Sequence, residues 1–580
     1  MSAILKYNNL SEYDYLIAGA GIAGLYSAYH LNKHFPSARI CILESSAYIG
    51  GRLHTISYDG IKVDGGGARF NTEQYRILAL VKELGLDNKK ITIPSGDAKY
   101  MPIHSNTQSN TQSNTQNSLA NAKYNPSLEQ IFPTIDDFIA DMQKYIHREN
   151  ITKLQLIDTS ILEFATKYYS KLHPTITEYL VARYPYYSEL STLNALEGIN
   201  LFTNEFSSKM KYFILDGGLE QLASTIYNQL KILPNITIHK ETPLESITKS
   251  TDIYTITGNG NGNKTKNIFT AKKVILALPK PALSKINYLT RNKDVARMIN
   301  SIQNEPLYRI YARYPIDKET GKVWFDGLPK IVTNLPIKYI IPINYKKGVI
   351  MITYTDSKFA KYWFKQVGNG TFEITLTKQL KMLFPDKNIP KAKWYKHCPW
   401  IMGAGYWKKG YNREEILPKM IQPLGNEEEI YVCGENYSSH QAWVEGSLET
   451  ADMVLAKLGV DVEYTPSKIF KIKSIKRIKR NLKTMKIQKG GKQDGKLKNS
   501  SKKQKKYTLD EVAKHNKKTD AWIVIDGKVA DVTQWIPKHP GGEIIMKGVG
   551  KDASKLFHSI GHDEYAKKMF KKYQIGILDS

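Results

Sequence analysis

Cysteine is scarce in this chain, with three in 580 residues, at Cys41, Cys398 and Cys433. Three thiols so far apart build no disulfide framework and no cysteine zinc site, so a reducing, cytoplasmic setting is expected. Long apolar runs are missing too: none approaches the roughly 18 to 20 residues that a membrane span requires. The opening MSAILKYNNLSEYDYL has no basic region followed by an apolar stretch, so no secretory signal is expected. Sequons such as Asn150-Ile151-Thr152 are then accidents of an Asn- and Thr-rich chain. Acidic residues are nearly absent from one segment in particular. Residues 467–506 hold 17 Lys or Arg against a single acid, Asp494, and so account for more than half of the net charge of +28. Because the excess is local, it does not make the whole protein a nucleic-acid binder.

At 580 residues the chain exceeds what one core accommodates, so two or three domains are expected. Hydrophobic residues at 41% and aromatics at 11% lie in the globular range. Composition separates a globular part to residue 463, a basic stretch over 464–506, and a compact tail over 507–580. SNTQSNTQSNTQ (Ser105–Gln116) repeats one tetrapeptide with nothing to bury and reads as a surface loop. In the basic stretch, Ile469, Ile472, Ile475, Ile478, Leu482 and Met485 recur every three or four residues. That spacing gives a cationic helix an apolar stripe over 467–487, suited to an acidic partner, a membrane surface, nucleic acid or nuclear import. The plainer alternative is a self-repelling linker.

Near the start, YDYLIAGAGIAGLYSAYHL orders a short apolar strand, then Gly19, Gly21 and Gly24 in GxGxxG spacing, then an apolar-periodic helix. Gly19 makes the tight turn, Gly21 admits pyrophosphate to the backbone, and Gly24 lets the helix pack on its strand with its N-terminus at the phosphates. A second strand, RICILE, ends in Glu44, 20 residues beyond Gly24, where a carboxylate can accept from a ribose hydroxyl. Together these predict dinucleotide binding.

Beyond Glu44, the stretches GGR (Gly50–Arg52), DGGGARFNTEQYRILALVKELGL, LDGGLEQLASTI, ETPLESI, VILALPKPAL and CGENYSSHQAWVEGSLETA follow in order. With GAGIAGL they resemble the flavin-containing amine oxidase family across about 450 residues. The resemblance implies an α/β doubly wound FAD-binding domain (about 10–70, 213–285 and 425–460) with an inserted α+β substrate domain (about 71–212 and 286–424). It implies Arg52 near the pyrophosphate, Glu435 on the ribityl chain or pyrophosphate, and residues 444–450 capping the flavin ring. A helix starting near Glu445 would aim its positive end at the ring edge where negative charge develops.

Departures from the family are equally informative. Where monoamine oxidases hold flavin covalently through a cysteine, this chain has Gly405, so non-covalent FAD is expected. Tyr406 and Trp443 fall where the family places two aromatic walls beside the substrate amine; core packing is the alternative for each. Arg309, in NEPLYRIYARYP, matches the position of a lysine held near flavin N5, and arginine cannot deprotonate usefully. Arg69 stands where L-amino-acid oxidases clamp a carboxylate, a task a planar guanidinium suits. A structural salt bridge is its other reading.

From Lys506 onward the tail resembles cytochrome b5 along its whole length, implying a separate small α+β domain that binds haem b. His539 in HPGG and His562 in IGHDEYA match the two iron ligands. Two imidazoles leave no open coordination site, which suits electron transfer. His558, four residues before His562, occupies a position the family fills with a polar residue.

The combined expectation is an FAD-dependent amine or L-amino-acid oxidoreductase whose haem domain relays single electrons. Its partners would be a small-molecule amine or amino acid, and molecular oxygen or a redox protein as acceptor. A 40-residue coil spans about 35 Å, enough for the domains to meet. The alternatives are an FAD-dependent desaturase-type enzyme, or a redox scaffold without turnover recruited through the basic stretch. The Lys, Asn, Ile and Tyr bias points to an AT-rich genome, as in a giant virus or protist.

Overall fold

The computed structural model describes residues 12–93, 98–103, 126–206, 210–259, 266–462, 505–536, 542–559, 570–571 and 573–579. The tetrapeptide repeat, the apolar stripe over 467–487, and both His539 and His562 lie outside the described residues. Two compact units divide the chain, Met1–Ser467 and Lys468–Ser580.

The first unit is organised by a seven-stranded sheet in the order Leu244–Ser250, Ile253–Asn259, Lys266–Leu276, Glu12–Ala18, Ile40–Leu43, Ile236–His239, with Ile430–Val432 also pairing with Lys266–Leu276. Pairing is parallel through its centre and antiparallel in the meander over 244–276. Its central strands are apolar on both faces, as a sheet covered on both sides requires: Leu16, Ile17, Ile40 and Ile42 are fully buried. Each such side chain contributes about 1.5–3 kcal/mol relative to exposure. The helix Ile22–His34 covers one face through Leu25, Ala28 and Leu31, and places Lys33 and His34 in its last turn, at the negative end of its dipole.

Helices over 126–206 follow, and their starts are written locally: Thr134 with Asp137, Thr152 with Gln155, and Ser160 with Glu163 each form a capping box. A six-stranded sheet then runs Trp394–Trp407, Ile302–Arg313, Val349–Asp356, Tyr339–Asn344, Ile331–Val332, Lys99–Tyr100. The first unit is therefore the doubly wound domain with an inserted α+β domain. The strand Trp394–Trp407 and the helix Val444–Lys457 return the chain from the insertion to the seven-stranded sheet, carrying Tyr406 and Trp443 inward.

The second unit is a five-stranded sheet ordered Lys506–Tyr507, Gln574–Leu578, Lys528–Asp531, Asp520–Ile525, Asn516–Lys517. Ala521, Ile523, Ala530, Val532 and Ile536 form its apolar cluster, against which Trp535, Ile545, Met546, Phe557 and Phe570 stay half-buried.

Candidate active site

A single cavity of about 1510 Å³ runs through the first unit, from the Gly19–Gly21 turn to the aromatic side chains of the inserted domain. At its first end the backbone leaves no room for side chains. Gly19 has φ +104°, and a Cβ there would lie 2.5 Å from the Ala277 carbonyl oxygen. A Cβ on Gly24 would run into the Gly19 carbonyl oxygen, so the helix can approach its strand only because Gly24 has none. Gly21 caps the helix Ile22–His34 and pairs with Gly50 of the GGR stretch. The Glu44 carboxylate closes this turn, accepting from Ala20 N at 2.9 Å and from Ser46 N at 2.8 Å. The glycine cradle and the acid at the second strand's end fit the ADP half of FAD.

Arg52 and Glu435 meet further along, 383 positions apart in sequence. Glu435 is 3% exposed and collects four donors: Arg52 Nη1 at 2.8 Å, Asn436 Nδ2 at 2.7 Å, Ala442 N at 2.7 Å and Gly405 N at 3.1 Å. Arg52 also donates to the Gly403 carbonyl at 3.1 Å. One carboxylate thus ties the GGR loop, the strand over 394–407 and the loop before the last helix together along the cavity wall. Gly405 leaves no sulfur and no space for one, since a Cβ there would collide with Asn436 Nδ2.

The helix expected near Glu445 begins at Val444, with Trp443 as its N-cap, and Trp443, Val444 and Ser447 line the cavity. Glu445 itself is not at the cavity. Its fully buried carboxylate accepts from Arg76 N at 3.1 Å and Ile77 N at 3.0 Å, fastening the helix Tyr75–Glu83 to the last helix. Val444, Ser447 and the backbone end of that helix, rather than the Glu445 side chain, can face a flavin.

Arg309 lines the cavity, but its guanidinium is committed: Nη1 donates to the Asp64 carbonyl at 3.1 Å and to the Gly66 carbonyl, and Nη2 donates to Tyr354 Oη at 2.9 Å. Here arginine braces the DGGG loop by its fork, which the compact lysine ammonium could not do.

Arg69 is different. Its guanidinium lies 4.9 Å from the Tyr212 ring, 5.8 Å from Trp443 and 5.9 Å from Phe206, and Arg69, Trp443 and Phe206 line the cavity. Among the described residues no carboxylate forms a salt bridge with it. Trp443 stacks on Tyr212 with an interplanar angle of 16°. Tyr406, on the strand over 394–407, also lines the cavity and donates to Glu189 Oε1 at 3.1 Å. Both expected walls therefore reach the same space, with Tyr186, Tyr339 and Tyr354 alongside.

Two features here have no signal in the sequence. Glu189, on the one-turn helix Ser188–Ser191, is a buried acid in the cavity wall. Burial, with Asp356 nearby, pushes its carboxyl up to about 8, against the pull of Tyr406 and Arg69. Behind Trp443, His440 sits between Glu449 at 3.2 Å and Glu205 at 3.2 Å. Burial alone would raise the Glu449 carboxyl, yet His440 and Ser439 bring it down to about 2, whereas burial dominates at Glu205 and pushes it up to about 7. Glu205 directly precedes Phe206, so this network anchors one of the rings beside Arg69.

In the second unit the half-buried apolar side chains beside the sheet fit a flat apolar group such as haem.

Comparison with known proteins agrees with this geometry. Residues 22–454 match the model for flavin containing amine oxidoreductases, and residues 508–579 that for cytochrome b5-like heme/steroid binding domains. A putrescine oxidase solved with putrescine superposes with a TM-score of 0.57 at 16% identity, covering 77% of this chain and 99% of its own. An uncharacterized protein of Acanthamoeba polyphaga mimivirus is 21% identical over 509 residues, 78% of this chain and 94% of its own. The tail is 54% identical over 74 residues to an acyl-lipid (8-3)-desaturase of Physcomitrium patens, spanning 15% of that protein. It is 47% identical over 74 residues to cytochrome b5 of Rhizopus stolonifer, spanning 56%. With its glycine cradle, its closed Arg52–Glu435 junction and these matches, the chain belongs to the flavin-containing amine oxidoreductase family, an FAD-dependent enzyme joined to a haem-binding cytochrome b5-like domain.

Proposed function

We propose that this enzyme oxidises an amine bearing a carboxylate, an L-amino acid in the simplest case, and that its electrons pass singly to the haem domain. The observation that carries the reading is Arg69: a half-buried guanidinium in the cavity wall that pairs with no carboxylate among the described residues and lies against the rings of Tyr212, Trp443 and Phe206. A substrate entering the cavity would desolvate this cation at a cost in free energy, and a bidentate substrate carboxylate is the partner its planar fork suits. The flavin, when bound, supplies the hydride acceptor.

The chain's own residues do the rest. Gly19, Gly21 and Gly24 admit the pyrophosphate, Glu44 accepts from a ribose hydroxyl, and Arg52, oriented by Glu435, faces the phosphates. Tyr406 and Trp443 flank the reacting carbon and exclude water. Arg309 holds the DGGG loop in place. His539 and His562 are the haem ligands, and residues 464–506 form the tether between the units. Putrescine, the ligand of the structural relative, has no carboxylate; the unpaired Arg69 favours an anionic amine instead.

The test is anaerobic flavin bleaching by a panel of L-amino acids and plain amines, in the wild type and in Arg69→Met. The reading expects amino acids to bleach the wild type and Arg69→Met to lose them while keeping its FAD. Bleaching by plain amines alone, unchanged in Arg69→Met, would overturn it.

A further inference from the structure

Three aromatic rings lie against Arg69, and all three hang on one side-chain bridge behind the cavity wall. His440 forms that bridge: its Nε2 lies 3.2 Å from Glu205 Oε1 and its Nδ1 3.2 Å from Glu449 Oε2. Glu205 caps the end of the helix Ala195–Asn204, directly precedes Phe206, and through its backbone carbonyl accepts from Tyr212 Oη at 3.0 Å. Glu449 belongs to the last helix, whose N-cap is Trp443, in the same loop as His440. The bridge therefore joins the two segments that carry the rings, and Trp443 packs 5.3 Å from Phe206 while stacking on Tyr212. This arrangement needs a charged imidazole. Two carboxylates call for two donors, and only an imidazolium carries a proton on both nitrogens. A neutral His440 would turn a lone pair toward one of the acids.

We propose that His440 is a positioning residue for substrate binding: as an imidazolium between Glu205 and Glu449 it sets Tyr212, Phe206 and Trp443 against Arg69, so that the affinity for a substrate carboxylate follows the charge on His440. This rests on the amino-acid reading above, in which Arg69 takes the carboxylate. The charged groups facing His440 are Glu205, Glu449 and Glu445, the last of them shared with Arg76 of the helix Tyr75–Glu83. Burial alone would lower His440, yet these three acids hold it above its ordinary value. A raised base keeps its contribution below its folded value and loses it as pH rises through that value. Glu205, pushed up to about 7, loses its negative charge as pH falls through that point. The bridge therefore carries all its charges from about pH 7 upward until His440 gives up its proton. Beyond that, ionised Glu205 and Glu449 face each other across a neutral ring, and the Trp443 loop loosens from the Phe206 segment.

Benzoate tests this in the FAD-loaded full-length protein, because it is a carboxylate without an amine and keeps one charge from about pH 6 to about pH 9. Its binding is read from the shift it causes in flavin absorbance. The wild-type dissociation constant should be lowest just above about pH 7 and rise by about tenfold on the alkaline side, the lower end of what a hydrogen bond to a charged group is worth. His440→Gln, whose amide donates from one atom only, should bind benzoate about tenfold more weakly near neutral pH and lack the alkaline rise. Glu205→Gln should move that rise to lower pH, since one of the acids that raises His440 is gone. The wild-type rise and its shift in Glu205→Gln decide the matter even where His440→Gln does not fold. A level wild-type affinity from neutral to alkaline pH overturns the positioning role, as does a His440→Gln that keeps the rise. The amino-acid reading survives either result as long as Arg69→Met fails to bind benzoate. If benzoate leaves the wild-type flavin unchanged at every pH, the carboxylate reading fails and the role of His440 falls with it.

Discussion

Glu435 offers the sharpest structural perturbation, because one side chain closes the cavity wall from three segments. Glu435→Ala would leave Arg52 Nη1 with only the Gly403 carbonyl, and would strand the Gly405 and Ala442 amides and Asn436 Nδ2. Breaking a buried pair from one side costs about 3–5 kcal/mol. Arg52 retains about a third of its side-chain exposure, which relieves its share of that loss by hydration. Each stranded buried amide adds about 1–3 kcal/mol. With the Arg52 pair discounted to about 2 kcal/mol and the three stranded donors at about 1 kcal/mol each, a total of about 5 kcal/mol for the first unit is the order expected. Glu435→Gln should fall between, since its amide nitrogen would face donors. The assay is flavin released on heating, followed by flavin fluorescence, with the flavin-to-protein absorbance ratio at purification. The reasoning is refuted if Glu435→Ala retains full flavin and releases it at the wild-type temperature.

Gly405→Cys should not create a flavin linkage: its Cβ drives Asn436 off the Lys280 amide it accepts from, at about 1–3 kcal/mol. Acid precipitation should therefore free all flavin from both wild type and variant, and flavin left bound to precipitated Gly405→Cys would contradict this. Arg309→Lys can keep only part of the three-way contact to Asp64, Gly66 and Tyr354, and should destabilise the first unit by about 1–3 kcal/mol in denaturant unfolding. Glu449 is depressed in the folded state from 4.5 to about 2, so its contribution is present above pH 4.5 and lost as pH falls toward 2. Glu449→Gln should then cost up to about 3 kcal/mol at pH 6 and progressively less toward pH 2, and a constant difference across that range would rule the linkage out.

Much of the fold and of the cofactor site was legible because it is written locally. The glycines at 19, 21 and 24 sit within one strand–turn–helix. The order of family motifs assigned Arg52 and Glu435 separately to the cofactor, whereas their direct contact across 383 positions is seen only in the structure. Chemistry that depends on burial was not legible. Glu189 in YYSELS looks like any surface acid, and only its contact with Tyr406, 217 positions on, puts it in the cavity wall. Glu445 shows the opposite failure: its place in the motif suggested the cofactor, while its side chain fastens two helices. For Arg309 the aligned position was informative and the role was not, because three partners drawn from two separate segments absorb its guanidinium.

The proposed route carries electrons from an amine-bearing substrate through flavin to haem. It is tested most directly by mixing the purified full-length protein anaerobically with L-amino acids and recording flavin and haem absorbance together. Flavin should bleach first and the bands of reduced haem should follow, with His539→Ala keeping the first phase and losing the second. If L-amino acids and plain amines all leave both chromophores unchanged while dithionite reduces both, that route is contradicted.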